Sequence, residues 1–332
     1  MVSYKPLWYY VLDLVKNKKI YVSKNRLLRK NFFYVNPLQA LLVDMLIYRE
    51  GLGIGKIKGR VIIEKDYNNE KIVFLGRKGE VESEIIYPGK DVIYEDIERI
   101  LPSKPLFLVL NSLYHEHTLS DRKRLGLQLG LMVNVVRRWL WDRHLVFVDT
   151  PQELISVIEK HAKPNRVLYL TRQEVCNIIN DTKHVVALDP YAEEALNEKV
   201  VLNSSIFIIG GIVDRDKPLK KATTKLINML EKECNLSINS YHIEIDGIKM
   251  AVPHRLNRVL EILLKVLIDR MTLREAVISV MTNRDIAWYI GLMLVKGETK
   301  LDEIIAEIER IIGRKISREV IHRAKRIAGL GV

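Results

Sequence analysis

The chain is predicted to be an α/β protein built on a mostly parallel sheet, and three observations carry that expectation. From about residue 104, short apolar runs alternate with helix-forming stretches, strand then helix, six times. Most of the runs are four or five residues of Leu, Val, Ile and Phe with no polar alternation, as in strands covered on both faces. Helix starts stand between them: Thr118 ahead of Asp121, Thr150-Pro151 ahead of Glu153, Thr171 ahead of Glu174. Residues 104–270 form the central unit. Residues 1–100 read as an α+β accessory domain and residues 271–332 as a helical domain.

In the first hundred residues, 6–19 is an aromatic, basic helix and 37–49 a second one. Three β-rich runs follow, 58–64, 71–75 and 81–87. Asp66-Tyr67-Asn68-Asn69 and Gly76-Arg77-Lys78-Gly79 between them have turn chemistry, so a small meander is expected. Gly51-Leu52-Gly53-Ile54-Gly55 matches the G-x-G-x-G of Rossmann-type methyltransferases, but it follows a helix and precedes a β-like run. A loop whose backbone N–H groups meet a ligand has the opposite order, so a flexible turn is expected.

In the central unit, 106–110 is a strand, followed by a helix over 119–141. Residues 145–148 are a strand, and Thr150-Pro151 opens the next helix. Residues 167–170 are a strand ahead of the helix capped by Thr171. Residues 184–188 are a strand, and Asp189-Pro190 starts a short helix through 196. Residues 206–209 are a strand ended by Gly210-Gly211, with a helix over 218–233 beyond. Residues 241–245 and 255–269 are the last strand and a strong helix. Four helices complete the chain, over 273–281, 284–295, 301–312 and 318–327, with capping boxes at Thr272/Glu275 and Thr299/Asp302.

The 332 residues are 48% hydrophobic, enough for a full core, and Lys plus Arg outnumber Asp plus Glu by 53 to 41, a formal charge of +12. Such a surplus points to a polyanion partner, nucleic acid first. No apolar run is long enough to span a bilayer, and the N-terminus has no signal-peptide pattern, so a cytoplasmic location and no membrane are expected. Cys176 and Cys234 are the only cysteines, so neither a disulfide framework nor a structural zinc site is expected. The abundance of Ile, Lys, Glu and Arg suggests a thermophile.

Chemistry is expected at Gly210-Gly211-Ile212-Val213-Asp214-Arg215-Asp216, because ligands of open α/β sheets bind beyond the carboxyl ends of strands. His115 and His117 flank Glu116 after the first strand of the unit, but no further ligands have metal-site spacing, so a polar loop and no metal are expected. Three stretches are basic. Residues 1–34 carry eight Lys or Arg among Trp8, Tyr9, Tyr10, Phe32, Phe33 and Tyr34. The helix from 119 carries Arg122, Lys123, Arg124, Arg137 and Arg138, and the C-terminus carries Arg314, Lys315, Arg318, Arg323, Lys325 and Arg326. Cations with aromatics available for stacking suit RNA.

Residues 104–270 resemble the tRNA purine-9 N1-methyltransferases of the SPOUT superfamily, in their archaeal form. The resemblance rests on Val185-Val186-Ala187-Leu188-Asp189-Pro190-Tyr191-Ala192-Glu193-Glu194, on Phe207-Ile208-Ile209-Gly210-Gly211-Ile212-Val213-Asp214-Arg215 and on Asn257-Arg258-Val259-Leu260-Glu261-Ile262-Leu263-Leu264, in that order. The resemblance implies a C-terminal trefoil knot and S-adenosylmethionine bound in it by the loops at 188–189, 210–216 and 252–257. The implied contacts are Leu188, Gly210, Gly211, Arg215, Asp216, Lys220, Val252, Leu256 and Asn257. It also implies tRNA as substrate, action as a monomer, and Asp214 as the family's carboxylate. Asp189, where eukaryotic members often carry Ser or Thr, supplies a second acid.

Guanine N1 carries a proton at neutral pH and needs a base, whereas adenine N1 exposes a lone pair and becomes cationic on methylation. Two carboxylates suit that developing charge, so adenine is favoured, with Asp214 and Asp189 as catalytic groups; guanine and dual activity stay open. The competing classes are a non-catalytic RNA-binding protein with this fold and, more weakly, a nucleotide-dependent oxidoreductase.

Overall fold

Among the first hundred residues the strands join in a five-stranded mixed sheet rather than the expected meander. In this computed structural model, residues 3–27, 36–182, 184–216, 218–249, 254–297 and 300–330 are described. Helix α1 (Leu7–Val15) leads to β1 (Lys19–Val22) and the single turn α2 (Lys24–Leu27). Helix α3 (Pro37–Tyr48) precedes β2 (Gly51–Ile54), β3 (Lys58–Tyr67), β4 (Glu70–Glu82), β5 (Ile85–Gly89) and α4 (Tyr94–Ile100). The order is β2-β5-β1-β4-β3, so the short strand at the tail of the expected first helix is central, pairing parallel with β4 and β5.

Two glycine stretches depart from expectation. Gly51-Leu52-Gly53-Ile54 is an edge strand, not a flexible turn. A Cβ on Gly51 would fall 2.1 Å from Val92 O, and one on Gly89 would fall 1.8 Å from Gly53 N, so these glycines let backbones meet. Gly76-Arg77-Lys78-Gly79 lies within β4. Gly59 pairs with Val81 and Arg60 with Gly76, so residues 77–80 bulge out, with Arg77 at φ 60°. The Asn68-Asn69 turn holds, both residues at positive φ, as a tight hairpin requires.

Residues 104–270 form a seven-stranded sheet in which every pair is parallel. Its elements are β6 (Leu106–Leu110), α5 (Leu119–Val136), β7 (Leu145–Val148), α6 (Gln152–His161), β8 (Leu168–Leu170), α7 (Arg172–Asn180) and β9 (Val185–Leu188). Then come β10 (Glu194–Ala195), α8 (Glu198–Asn203), β11 (Ile206–Gly210), α9 (Ala222–Cys234), β12 (Asn239–His242) and α10 (Leu256–Leu267). All six expected strands are present. The short helix expected over 189–196 is absent: the Asp189 carboxylate accepts from Tyr191 N–H at 3.0 Å, closing a local turn that leads into β10 instead.

The strand order β10-β12-β9-β11-β6-β7-β8 places β12 between two segments that precede it in the chain. β6, β7 and β11 are buried at every position, and their alternate side chains serve two cores. Phe107, Val109, Phe207 and Ile209 pack with residues of α5 and α10, while Leu106, Leu108, Ile206 and Ile208 pack with residues of α7 and α9. Against expectation, Cys176 of α7 and Cys234 of α9 form a disulfide on that second face. Their separation of 58 residues hides the pairing from sequence spacing.

Helices α11 (Leu273–Ser279), α12 (Asn283–Lys296), α13 (Leu301–Ile312) and α14 (Arg318–Ile327) complete the chain. The Thr272/Glu275 capping box is complete, and Thr282/Asp285 makes another. Thr299 lies outside the described residues, and Lys300 precedes α13.

Candidate functional site

The carboxyl ends of β9, β11 and β12 surround a cavity of about 240 Å³. β9 contributes Leu188, Asp189, Pro190 and Tyr191; β11 contributes Ile209, Gly210, Ile212 and Asp214; β12 contributes Tyr241, His242 and Ile243. Helix α9 closes one wall with Ala222 and Thr223, and α10 another with Leu256 and Val259. The N–H of Leu256 donates to Gln128 Oε1 of α5 at 2.9 Å, which fixes the start of α10 against the wall. Lys249 and His254 border the cavity on either side of residues outside the description, among them Val252.

The two sequence-predicted acids occupy different settings. Asp189 is 3% exposed. It accepts from Thr224 Oγ1 at 2.6 Å and from Tyr191 N–H at 3.0 Å, while its own N–H donates to Tyr241 O at 2.9 Å. It therefore ties the β9 loop to α9 and β12. Asp214 is exposed at the rim and accepts from Leu219 N–H at 3.3 Å. The carboxylates share none of these partners.

Of the other predicted contacts, Leu188, Gly210 and Leu256 line the cavity. Asn257 is 8% exposed beside Leu256, and its Oδ1 has no partner among the described residues. Gly211 is not a lining residue. A Cβ there would fall 2.2 Å from Asn111 Oδ1 and 2.7 Å from Leu110 O, so glycine is needed to pack the loop on β6 rather than to admit a ligand. A Cβ on Gly210 would fall 2.7 Å from Thr223 Oγ1 of α9. Arg215, Asp216 and Lys220 are exposed and outside the cavity wall. Asp216 turns to Arg124 Nη1 at 2.7 Å, and that guanidinium holds its carboxyl below the ordinary range. Tyr191, Thr223, Tyr241 and His242 were missed, since only the fold brings them together.

The cations of α5 also divide. Lys123 is exposed. Arg122 donates to His117 O at 3.1 Å and His115 O at 2.7 Å and lies over the Tyr114 ring. Arg124 bridges Asp121 and Asp216. Arg137 grips the fully buried Asp142 through Nε and Nη2 at 2.7 and 2.8 Å and donates from Nη2 to Pro164 O, so it ties the end of α5 to the segments around β7 and β8. Arg138 keeps a 48% exposed side chain while pairing with Glu261 at 2.9 Å. Beside it a groove of about 410 Å³ runs between the N-terminal domain and the central unit, lined by Lys5, Trp8, Tyr9, Arg138 and Trp139. Phe32, Phe33 and Tyr34 lie outside the described residues. At the C-terminus, Arg314 donates to Asn283 Oδ1 and Lys315 pairs with Glu309.

The segment between β12 and α10 is gripped from the C-terminal helices. Asp246 Oδ2 accepts from Tyr289 OH at 2.6 Å and from Arg274 Nε at 2.9 Å, and Lys296 Nζ donates to Asp246 O. Glu307 holds the other edge of Arg274. Burial opposes charge on Asp246, but the Tyr289 hydroxyl and Arg274 outweigh it and hold the carboxyl below its ordinary value.

Residues 133–249 match the family described as SFM1-like protein arginine N-methyltransferases. A tRNA (adenine(9)-N1)-methyltransferase of Sulfolobus acidocaldarius is 27% identical over 273 residues, covering 80% of this chain and 85% of that protein. A tRNA (guanine(9)-/adenine(9)-N1)-methyltransferase of Thermococcus kodakarensis is 28% identical over 228 residues, 68% of this chain and 60% of that longer protein. Among solved structures, Sulfolobus acidocaldarius Trm10 in complex with S-adenosylhomocysteine superposes with a TM-score of 0.69 at 22% identity, covering 97% of this chain and 99% of that one. A second crystal structure of that protein gives 0.57 at 25% identity over 82% of this chain and 95% of the other. The fold likeness thus extends through all three parts of the chain.

Proposed function

We propose that this chain is an S-adenosylmethionine-dependent tRNA methyltransferase of the SPOUT type that methylates N1 of the purine at position 9, adenine in preference to guanine. The observation that carries this is the cavity at the carboxyl ends of β9, β11 and β12 with one open carboxylate, Asp214, at its rim. The names and coverage of the two relatives supply the substrate.

The residues present fit the cofactor. Leu188, Ile209, Ile212, Leu256 and Val259 give the cavity apolar walls for a nucleoside, and Asn257 Oδ1, without a partner among the described residues, is a buried acceptor next to Leu256. When bound, S-adenosylmethionine supplies the methyl group as an electrophile on sulfur. The chain's own residues position the acceptor nitrogen in line with it, from which much of the rate comes. Asp214 stabilises the positive charge that grows on adenine as N1 takes the methyl, and Asp189 holds the β9 loop in place. With guanine, Asp214 would accept the N1 proton. Position 9 lies in the tRNA core, so the base leaves its stack to enter the site. Lys123, Arg138 and the Lys5–Trp8–Tyr9 groove receive the RNA. The protein acts as a cytoplasmic monomer. The sheet of residues 104–270 ends in a C-terminal trefoil knot; support comes from β12 pairing with β9 on one side and β10 on the other. Among the described residues, no helix is long and apolar enough to cross a membrane and no His/Cys/Asp/Glu cluster is built to hold a metal.

The test is mass spectrometry of unmodified tRNAs carrying A9 or G9 after incubation with protein and S-adenosylmethionine. N1-methyladenine at position 9 is the expected product. The match to SFM1-like proteins favours one rival acceptor, a protein arginine. Methylated protein with unmodified tRNA would replace the proposal by that one.

A further inference from the structure

His117 was read from sequence as part of a polar loop, yet it is 4% exposed, and nothing in the reaction above employs it. Its Nε2 lies 3.1 Å from the Val213 nitrogen, and its Nδ1 lies 3.1 Å from Leu113 O and 3.2 Å from Tyr114 O. A backbone N–H only donates and a carbonyl only accepts. The ring that satisfies all three is neutral, with its proton on Nδ1 and its lone pair on Nε2. Val213 immediately precedes Asp214, and its neighbours Ile212 and Asp214 both line the cavity. Asp214 itself also accepts from Leu219 N–H at 3.3 Å, and Ile212 N–H donates to Gly210 O at 2.9 Å. Gly211 N–H donates to Leu110 O at 2.8 Å, and Asp216 N–H donates to Asp121 Oδ2 at 3.2 Å.

We infer that His117 is a positioning residue for methyl transfer: its Nε2 lone pair pins the Val213 N–H and thereby aims Asp214 at the reacting base. The inference rests on the methyl-transfer function proposed above. Asp214, Arg215 and Asp216 stand on the loop that His117 pins, and Lys225 of α9 pairs with Glu116 at 2.7 Å.

His117→Gln places a carbonyl where Nε2 stands; His117→Phe keeps an aromatic ring and removes the acceptor. The readouts are hydrogen exchange at the Val213 amide, S-adenosylhomocysteine affinity, and kcat and KM for tRNA. The Phe variant is expected to expose the Val213 amide to exchange and to lose about tenfold in kcat, the effect of one buried donor left unpaired, with KM for tRNA unchanged. The Gln variant is expected to restore protection and most of kcat. Native kcat in the Phe variant, or equal loss of kcat in both variants, overturns the inference. Native protein that protects Val213 but transfers no methyl would overturn the proposed function while leaving this tie in place.

Discussion

Asp214 shows what one residue can reveal and what it cannot. Its place after a buried run and two glycines marked it in the sequence, and the structure sets it on the cavity rim. Replacing it with Asn removes the charge but keeps the shape. The expected result is a fall of roughly a hundredfold in kcat, the scale of one electrostatic contact to a transition state, with S-adenosylhomocysteine affinity unchanged. Equal kcat in native protein and variant would remove Asp214 from the chemistry. Gly211 was also legible as special, but for the wrong reason: glycine in a loop does not say whether the crowding atom belongs to a ligand or, as here, to Asn111. His144 was not legible at all. It is 2% exposed with Nδ1 donating to Pro105 O at 2.7 Å, and burial pushes its pKa from an ordinary 6.5 down to about 4. The unfolded chain therefore binds more protons than the folded one between pH 6.5 and about 4, and stability falls as pH drops through that window. The full loss is on the order of 3 kcal/mol. Urea unfolding of native protein and His144→Asn should give curves that diverge across the window, and parallel curves would rule this out.

Elements were read well where local chemistry suffices. The capping boxes at Thr171 and Thr272 are present as expected, and α13 and α14 begin and end where the apolar period does. β1 was not read because four residues are too few to separate period 2 from period 3.6, and its pairing partners lie more than fifty residues away. β10 is two residues long and exists only because β12 lies against it. The Cys176–Cys234 bridge between α7 and α9 has the same character, a contact made by tertiary structure alone. It removes freedom from an unfolded loop of 58 residues, worth about 4 kcal/mol on the chain-entropy account. Cys176→Ser should lower the unfolding free energy by up to that amount while A9 methylation at moderate temperature persists. A thermal midpoint indifferent to both the substitution and reductant would mean the bridge contributes nothing.

On the scale of the whole molecule, the alternation of strands and helices announced the parallel sheet, but not which strands are neighbours. The cavity exists because β12 enters between β9 and β10, an ordering that no local signal encodes. The contacts between the N-terminal, central and C-terminal stretches were not legible. Arg274 and Tyr289 of the C-terminal helices close on Asp246, in the stretch between β12 and α10 whose two ends border the cavity. Asp246→Ala should therefore weaken S-adenosylhomocysteine binding severalfold without touching a lining residue, which calorimetry would detect; unchanged affinity would make the grip incidental to the site. Coupling of this kind runs both ways. Whatever hold the C-terminal helices give the ligand, the ligand returns to them, so a protease should release those helices more slowly from loaded protein than from empty protein.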